Sequence, residues 1–301
     1  VYKLIYKYFK LLVKRAVIGC IKIKNIMKYH SIKSVLFATL LATSIFTISC
    51  NRNRDKNQDN ETEMSNDNAL AEFSYNDALN IADEASNLNT GDNLGSYKTA
   101  SNCATVTHDT TTTPRTITID FGPTNCMCND GRDRRGKILV SYTGKYKLAG
   151  SVHTIGFDNY FVNDNQIMGT KTVTNMGLNA SNQSYFSIVV TGKIIKSNLT
   201  DSIVWNSNRT RTWIQGENTQ TWTDDIYEIT GNGSGQNKNG NFTMNIILPL
   251  VKELGCKWFT AGKMELQPAG KLLRTIDFGN GNCDNTATVL INGNTYTITL
   301  K

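Results

Sequence analysis

Aromatic and basic residues in one segment are the part of this sequence best suited to binding a ligand. Trp205, Arg209, Arg211 and Trp213 occupy alternate positions, so on a β-strand they would share one face. Flat indole rings beside guanidinium groups can stack on sugar rings and bind sugar hydroxyl groups. The segment therefore predicts an aromatic and basic ribbon. The interpretation that the ribbon binds a glycan competes with a simpler and more favoured one, in which cross-strand contacts only stabilise a solvated sheet face.

The predicted partner strand of this ribbon is Thr219–Thr230. A hairpin turn would place Arg211 opposite Trp222 and Arg209 opposite Asp224. Both pairings are favourable, because one sets a cation over an aromatic ring and the other forms an ion pair. Trp222 and Asp224 thus complete the predicted ligand-binding set.

Sequence motifs of catalysis are missing. The chain has no G-x-S-x-G, P-loop, G-x-G-x-x-G or H-E-x-x-H pattern, and His108 and His153 are better explained as a surface residue and a strand residue. A glycosidase needs two carboxylates that meet in space. The acids available for this are Asp120, Asp158, Asp224, Asp225 and Asp277. Nothing in their spacing requires such a pair, so a non-enzymatic role is favoured over catalysis, and no cofactor is expected.

A repeated segment organises the cysteines. Residues 115–126 and 274–283 both contain Ile-Asp-Phe-Gly and then Asn-Cys at the same distance, and another cysteine precedes each copy. The repeat predicts a duplicated strand and hairpin unit over residues 103–146 and 256–301. The cysteines that follow residue 50 are Cys103, Cys126, Cys128, Cys256 and Cys283.

Disulfide bonds are the expected use of these cysteines in an exported chain. The repeat predicts a bond from Cys103 to either Cys126 or Cys128 and a bond from Cys256 to Cys283, with one thiol left free. The competing interpretation makes Cys126 and Cys128 a metal or redox pair. It lacks a second cysteine pair at zinc spacing, so no metal site is expected.

Residues 27–49 have the order of a signal peptide. A basic stretch, Met27–Lys33, precedes the apolar run Val35–Ile48, whose 14 residues are fewer than the roughly 20 of a spanning helix. Ser49 before Cys50 resembles the lipobox of bacterial lipoproteins. That resemblance implies that the Cys50 thiol carries a diacylglycerol, with fatty acyl groups such as palmitate, and that Cys50 becomes the first residue of the mature chain.

The remaining chain divides by composition. Residues 1–26 precede the signal peptide and are best explained by a start site placed too far upstream, with a basic amphipathic membrane helix as the alternative. Residues 50–72 are predicted to be a flexible polar tether, residues 73–96 a short helix with a linker, and residues 97–301 a β domain.

Periodicity predicts the fold class. Ser74 and Asp77 have the form of a helix capping box ahead of apolar residues at helical spacing. Beyond Tyr97 there are about a dozen short alternating runs rich in Thr, Val, Ile and Tyr. We expect a mainly β protein with one short N-terminal helix, built as an antiparallel sandwich, an open barrel or a long meander.

Charge excludes nucleic acid as a partner. The formal net charge is +7, but residues 1–49 carry nine of the 32 bases and none of the acids, which leaves 23 bases against 25 acids. The expected partners are the membrane, through the lipid anchor, and a glycan or an envelope protein.

The segment TPRTITIDFGPTNCMCNDGRDRRGKILVSYTGKY from Thr113 and the terminal RTIDFGNGNC resemble, together with the lipobox, lipoproteins of Bacteroidota of unknown function. The resemblance implies a lipid-anchored protein of the cell envelope, in the outer membrane. Surface-exported members often carry an acidic run after the lipidated cysteine, and the different stretch Asn51–Arg54 favours the periplasmic face. The favoured hypothesis for its role is binding or scaffolding. It also implies O-glycosylation sites at Thr110 and Ser202. The alternative is an envelope protein that binds or cleaves glycans through the aromatic and basic ribbon and paired carboxylates.

Overall fold

The computed structural model of the chain describes residues 59–87, 103–219 and 221–300, and the predicted signal peptide and Cys50 lie outside this part. Helix α1 spans Glu63–Asn87 and is followed by fourteen strands. The strands are β1 (Thr105–Asp109), β2 (Arg115–Asp120), β3 (Cys126–Met127), β4 (Asp133–Tyr142), β5 (Val152–Val162), β6 (Asn165–Leu178), β7 (Ser184–Ile195), β8 (Ser202–Gln215), β9 (Ile226–Asn237), β10 (Gly240–Glu253), β11 (Ala261–Pro268), β12 (Arg274–Asn280), β13 (Thr286–Ile291) and β14 (Asn294–Thr299). The mainly β class with one N-terminal α-helix is confirmed for the described residues.

The start of α1 differs from the prediction. The helix begins at Glu63, so residues 63–72 are helical and the predicted tether extends too far. The Glu61 carboxylate accepts a hydrogen bond of 3.0 Å from the Met64 N–H and so caps the first turn. Ser74 donates its hydroxyl proton to the Leu70 carbonyl, 2.7 Å away, inside a continuing helix. The capping-box prediction was therefore wrong about where the helix starts.

The strands form one antiparallel meander. Each strand pairs with its neighbours in sequence, from β1 at one edge to β14 at the other, and the short β3 pairs only with β4. The sequential strand order makes this sheet a long meander, one of the predicted architectures, and the sheet is open rather than closed. Along most strands buried side chains alternate with more exposed ones, and register shifts interrupt this alternation in strands such as β5 and β10.

Helix α1 occupies the buried side of this sheet. It contacts β2, β4, β5, β8 and β9, and its side chains also reach β6, β11 and β12. One helix can touch so many strands on a single face only if the sheet curls around it. Residues on all sides of α1 are accordingly buried, including Met64, Phe73, Tyr75, Leu79 and Ile81.

Both ends of the sheet carry the repeated unit, and each copy is closed by a disulfide. Cys103 bonds to Cys126 and Cys256 bonds to Cys283, each with Cα atoms 5.7 Å apart. Cys128 is free and buried. The predicted pairs are confirmed, with Cys126 as the partner of Cys103.

The equivalent aspartates of the two copies each pair with a lysine on a neighbouring strand. Asp120 pairs with Lys137 at 3.1 Å in the first copy, and Asp277 pairs with Lys263 at 2.9 Å in the second. Each aspartate also accepts a hydrogen bond from a glycine N–H two residues later. The sequence echo is thus a structural one, at opposite ends of the strand order.

Candidate functional site

The predicted aromatic and basic ribbon lies on the inner face of the sheet. Trp205, Arg209, Arg211 and Trp213 all belong to β8, and each is at most 6% exposed. The four side chains share a face, as expected from the strand alternation. That face is packed against α1 and the neighbouring strands, so the ribbon is neither a solvated face nor an open platform for a sugar.

Trp205 packs against α1 and is hydrogen-bonded to it. Its ring is stacked on Tyr75 with centroids 5.5 Å apart, and its Nε1 donates a hydrogen bond of 2.9 Å to the Asn68 side-chain oxygen. The Tyr75 hydroxyl in turn donates to the Met168 carbonyl, 2.8 Å away on β6. Both polar tips of this aromatic pair are therefore satisfied inside the protein.

Arg209 forms a buried ion pair with the helix. Its Nη2 lies 2.8 Å from the Glu72 carboxylate, and both side chains are 3% exposed. Nε donates to the second carboxylate oxygen at 3.3 Å, so the pair is bidentate. A bidentate pair fixes the angle between two elements, and here it joins β8 to α1.

Arg211 and Trp213 belong to a polar aromatic cluster. The Arg211 guanidinium lies 3.5 Å from the centre of the Tyr227 ring and donates to the Tyr146 hydroxyl at 3.4 Å. The Trp213 Nε1 donates to Asp225 at 3.3 Å. Burial raises the pKa of Asp225 to about 6. This cluster joins β8, β9 and the loop before β9.

The predicted partner strand is shifted along the sequence. β9 spans Ile226–Asn237 rather than Thr219–Thr230, and it places Ile229 opposite Arg211. The predicted pairing of Arg211 with Trp222 is therefore wrong.

The predicted pairing of Arg209 with Asp224 is wrong for the same reason. Residues Trp222–Asp224 form a single 3₁₀ turn, and the side chain of Trp222 lies outside the described part of the chain. Gly216 explains the shift: its φ is +92°, and a Cβ there would lie 2.3 Å from the Asp225 carboxylate. The chain can therefore loop outward before it returns to the sheet.

A second buried network surrounds Asp77, and the sequence did not reveal it. The Asp77 carboxylate lies 2.7 Å from Arg132 Nη1 and 2.8 Å from Arg134 Nη2, and Arg134 also contacts Asp130 at 2.6 Å. Burial opposes ionisation of Asp77, but the two guanidinium groups outweigh it and hold the pKa of that carboxyl below its ordinary value. The available signal was the recurrence of acids at 63, 67, 72 and 77, in the segment interpreted as tether and helix start.

The candidate catalytic acids are dispersed. Asp120 and Asp277 are the paired surface residues of the two repeat copies, Asp158 is exposed on β5, and Asp224 and Asp225 lie in the loop before β9. Asp224 accepts a hydrogen bond of 2.9 Å from the Thr219 hydroxyl. These contacts give each acid a local structural role.

The histidines and the free cysteine are also held by their surroundings. His153 faces the core from β5, stacked on Tyr142, and burial lowers its pKa. Burial lowers the pKa of the half-buried His108 and raises that of the Cys128 thiol. Because Cys126 is bonded to Cys103, it does not form a metal pair with Cys128. No cluster of His, Cys, Asp and Glu suited to a metal ion occurs among the described residues.

The predicted modification sites lie at the ends of strands. Thr110 is exposed just after β1, and Ser202 is half-buried at the start of β8. Both remain predictions, as does lipidation of Cys50, which lies outside the described residues. Within those residues, no helix has the length and apolar character that crossing a bilayer requires.

Two openings at the surface of the described chain have volumes of about 600 Å³ or more. The first, which we call the edge cleft, has a volume of about 600 Å³ and lies between α1 and β14. It is lined by Thr62, by residues of α1 from Glu63 to Asp77, by the turns that follow β5 and β7, and by Thr297–Leu300.

The second opening, which we call the outer groove, has a volume of about 630 Å³ and crosses β8 to β11 on the exposed face. Its polar lining is uncharged: Asn206, Ser234, Gln236, Asn241, Thr243 and Gln267. Both volumes lie within the usual range of small-ligand sites.

Comparison of the sequence with protein-family models and with curated proteins, and of the structure with solved structures, gives no match.

Proposed function

We propose that this chain is a lipid-anchored protein of the cell envelope, with a binding or scaffolding role outside the cytoplasm and no catalytic activity. The observation that carries the proposal is the pair of disulfides, one in each repeat copy. Disulfides persist in oxidising compartments, which agrees with the lipobox-like Ser49 and Cys50.

Helix α1 fills the buried face of the sheet. This supports a ligand site at the margin or on the outer face of the sheet, rather than an active site inside it. Asp77 forms ion pairs with Arg132 and Arg134, and Glu72 forms an ion pair with Arg209. These buried charges therefore hold α1 in place. The edge cleft and the outer groove both lie at the margin or on the outside of the sheet.

The anchor and the folded body are close in sequence. Asp59 already contacts Arg274 at 2.7 Å, so only residues 51–58 separate Cys50 from the body. Eight residues reach at most about 30 Å when fully extended. The proposed tether therefore keeps Asp59 within that distance of the anchored cysteine.

Membrane fractionation of a cysteine variant tests the anchor. We expect the wild-type protein to sediment with membranes and to need detergent for release, and Cys50→Ala to appear in the released fraction. Cys128→Ala is the matched control and should remain with the membranes. Membrane retention of Cys50→Ala, or recovery of the wild type from the cytoplasm, would contradict the proposal.

A second candidate function is binding of a neutral glycan in the outer groove. The observation that favours it is the uncharged hydroxyl and amide lining, which suits sugar hydroxyl groups. Calorimetric titration with neutral and acidic oligosaccharides tests it. Asn206→Ala should abolish binding of a neutral ligand, whereas Asp158→Asn, on an exposed part of β5, should not; preference for an acidic sugar would count against this candidate.

A further inference from the structure

The free edge of β14 has backbone groups that point away from the sheet. Among the described strands, β14 ends the order and pairs only with β13. The Leu300 N–H donates to the Asn285 carbonyl, 2.8 Å away on the β13 side. In an antiparallel pair, alternate residues direct their backbone groups to the partner strand. Thr297 and Thr299 therefore direct their N–H and C=O groups to the open side.

The edge cleft runs along this open side. Thr297, Ile298, Thr299 and Leu300 are consecutive, and all four line it. A pocket on one face of the strand would be lined by alternate residues only. Lining by consecutive residues places the cleft beside the backbone edge itself.

The opposite wall gives the cleft an elongated shape. The α1 residues that line it recur at helical spacing from Glu63 to Asp77, a length of about 21 Å at 1.5 Å per residue. The turns after β5 and β7 form the remaining side. An extended peptide of about six residues has a similar length.

The charges that line the cleft are already paired. Lys196 lies 2.7 Å from Asp67, and Arg132 lies 2.7 Å from Asp77. Apolar side chains lie between these pairs, at Leu70, Phe73, Val162, Ile298 and Leu300. Because no charge in these two pairs lacks a counter-charge, the cleft suits an uncharged strand that turns apolar side chains toward α1.

We propose that the edge cleft accepts an extended, uncharged peptide segment of a partner protein, which pairs with β14 and lengthens the sheet. Main-chain hydrogen bonds to Thr297 and Thr299 provide the pairing, and the apolar middle of the cleft selects alternate apolar side chains. This inference names the site and the partner class of the binding role proposed above, and it rests on that role.

Peptide titration of the full-length chain in detergent tests the inference. The probe is a fluorescently labelled synthetic hexapeptide of alternating threonine and valine, followed by fluorescence anisotropy. We expect saturable binding that weakens at least about tenfold when alternate backbone nitrogens of the peptide are methylated, because N-methylation removes the donors that edge pairing needs.

Two variants of one residue locate the binding. Thr297→Pro removes an outward N–H without removing a bond to β13, and should weaken binding at least about tenfold. Thr297→Ala keeps the backbone donor and should bind as the wild type does. Circular dichroism checks that both variants fold, and the methylated peptide gives an answer that does not depend on any variant.

Three results would overturn the inference: no saturable binding, equal binding of the methylated peptide, or equal loss in Thr297→Ala and Thr297→Pro. A concentration-dependent dimer of the chain that the peptide dissociates would identify a second copy, not a separate partner, as the occupant. None of these results affects the fractionation of Cys50→Ala, so failure at the edge cleft is distinguishable from failure of the anchor.

Discussion

At the scale of single residues, buried acids of α1 form ion pairs with bases of the sheet. These pairs hold the helix in place. Asp77 is one example, with two guanidinium groups within 2.8 Å. Its pKa in the folded protein lies below the ordinary value of 3.8. The stabilisation from its ionised form is therefore complete above about pH 4 and is lost as the pH falls below that value.

This linkage predicts acid sensitivity. We expect the melting temperature of the wild type to fall steeply below pH 4, and that of Asp77→Asn to be lower at pH 7 but less dependent on pH in the acid range. Loss of the carboxylate leaves two buried guanidinium groups with Asp130 as their remaining counter-charge, which costs about 3–5 kcal/mol. Asp158→Asn, at an exposed position, should melt as the wild type does. If the melting temperature of Asp77→Asn fell below pH 4 as steeply as that of the wild type, another group would control the acid sensitivity.

The pair of Glu72 and Arg209 predicts strong coupling. Glu72→Leu and Arg209→Met should each destabilise the protein, because each leaves one buried charge alone. The double variant should lose less than the sum of the two single losses, by about 1–3 kcal/mol in urea unfolding. Strict additivity would mean that the contact contributes nothing to the docking of α1.

At the scale of elements, close approach of α1 to β7 requires a residue without a side chain. A Cβ on Gly192 would lie 1.9 Å from the Tyr75 hydroxyl, and Tyr75 is 1% exposed. Gly156 is the matched control, since its nearest neighbour beyond the adjacent residues is 4.0 Å away. We expect Gly192→Ala to lower the melting temperature by several degrees and Gly156→Ala to change it little. Equal effects of the two substitutions would contradict the described position of the helix.

The sequence predicted the strands better than it predicted what covers them. Alternation in β8 placed Trp205 and Arg209 on one face, but alternation cannot say whether that face meets water or a helix. The segment before Ser74 looked like a tether because it is polar. Its polar residues are buried against partners far along the chain, as Asn68 is against Trp205. The local sequence does not show such distant partners, although the acids at 63, 67, 72 and 77 recur at near-helical spacing.

The predicted hairpin after β8 was wrong for a different reason. A tight turn is the usual way to join two antiparallel strands, so the prediction began the next strand at Thr219. In the structure a longer loop connects Gln215 to Ile226. The sequence could not predict the edge cleft either. The cleft lies between α1 and β14, which are the first and last elements of the described chain.

At the scale of the whole molecule, the two disulfides close the repeat copies at opposite ends of the strand order. The repeat made these bonds predictable, because it paired Cys256 with Cys283 and left only the choice between Cys126 and Cys128. Cys103→Ser with Cys126→Ser should lower the free energy of unfolding by about 3 kcal/mol, since the bond closes a loop of 23 residues. Chemical denaturation measures this loss. A variant as stable as the wild type would show that the bond does not constrain the unfolded chain.

The central claim is that the chain is exported, anchored at Cys50 and held by two disulfides. The intact mass of the membrane-extracted protein, after alkylation of its thiols under denaturing conditions, tests that claim most directly. We predict a species that starts at Cys50, carries acyl mass and has one alkylated thiol, at Cys128. An unacylated chain, a chain that retains residues 1–26, or a chain with more than one alkylated thiol would contradict it.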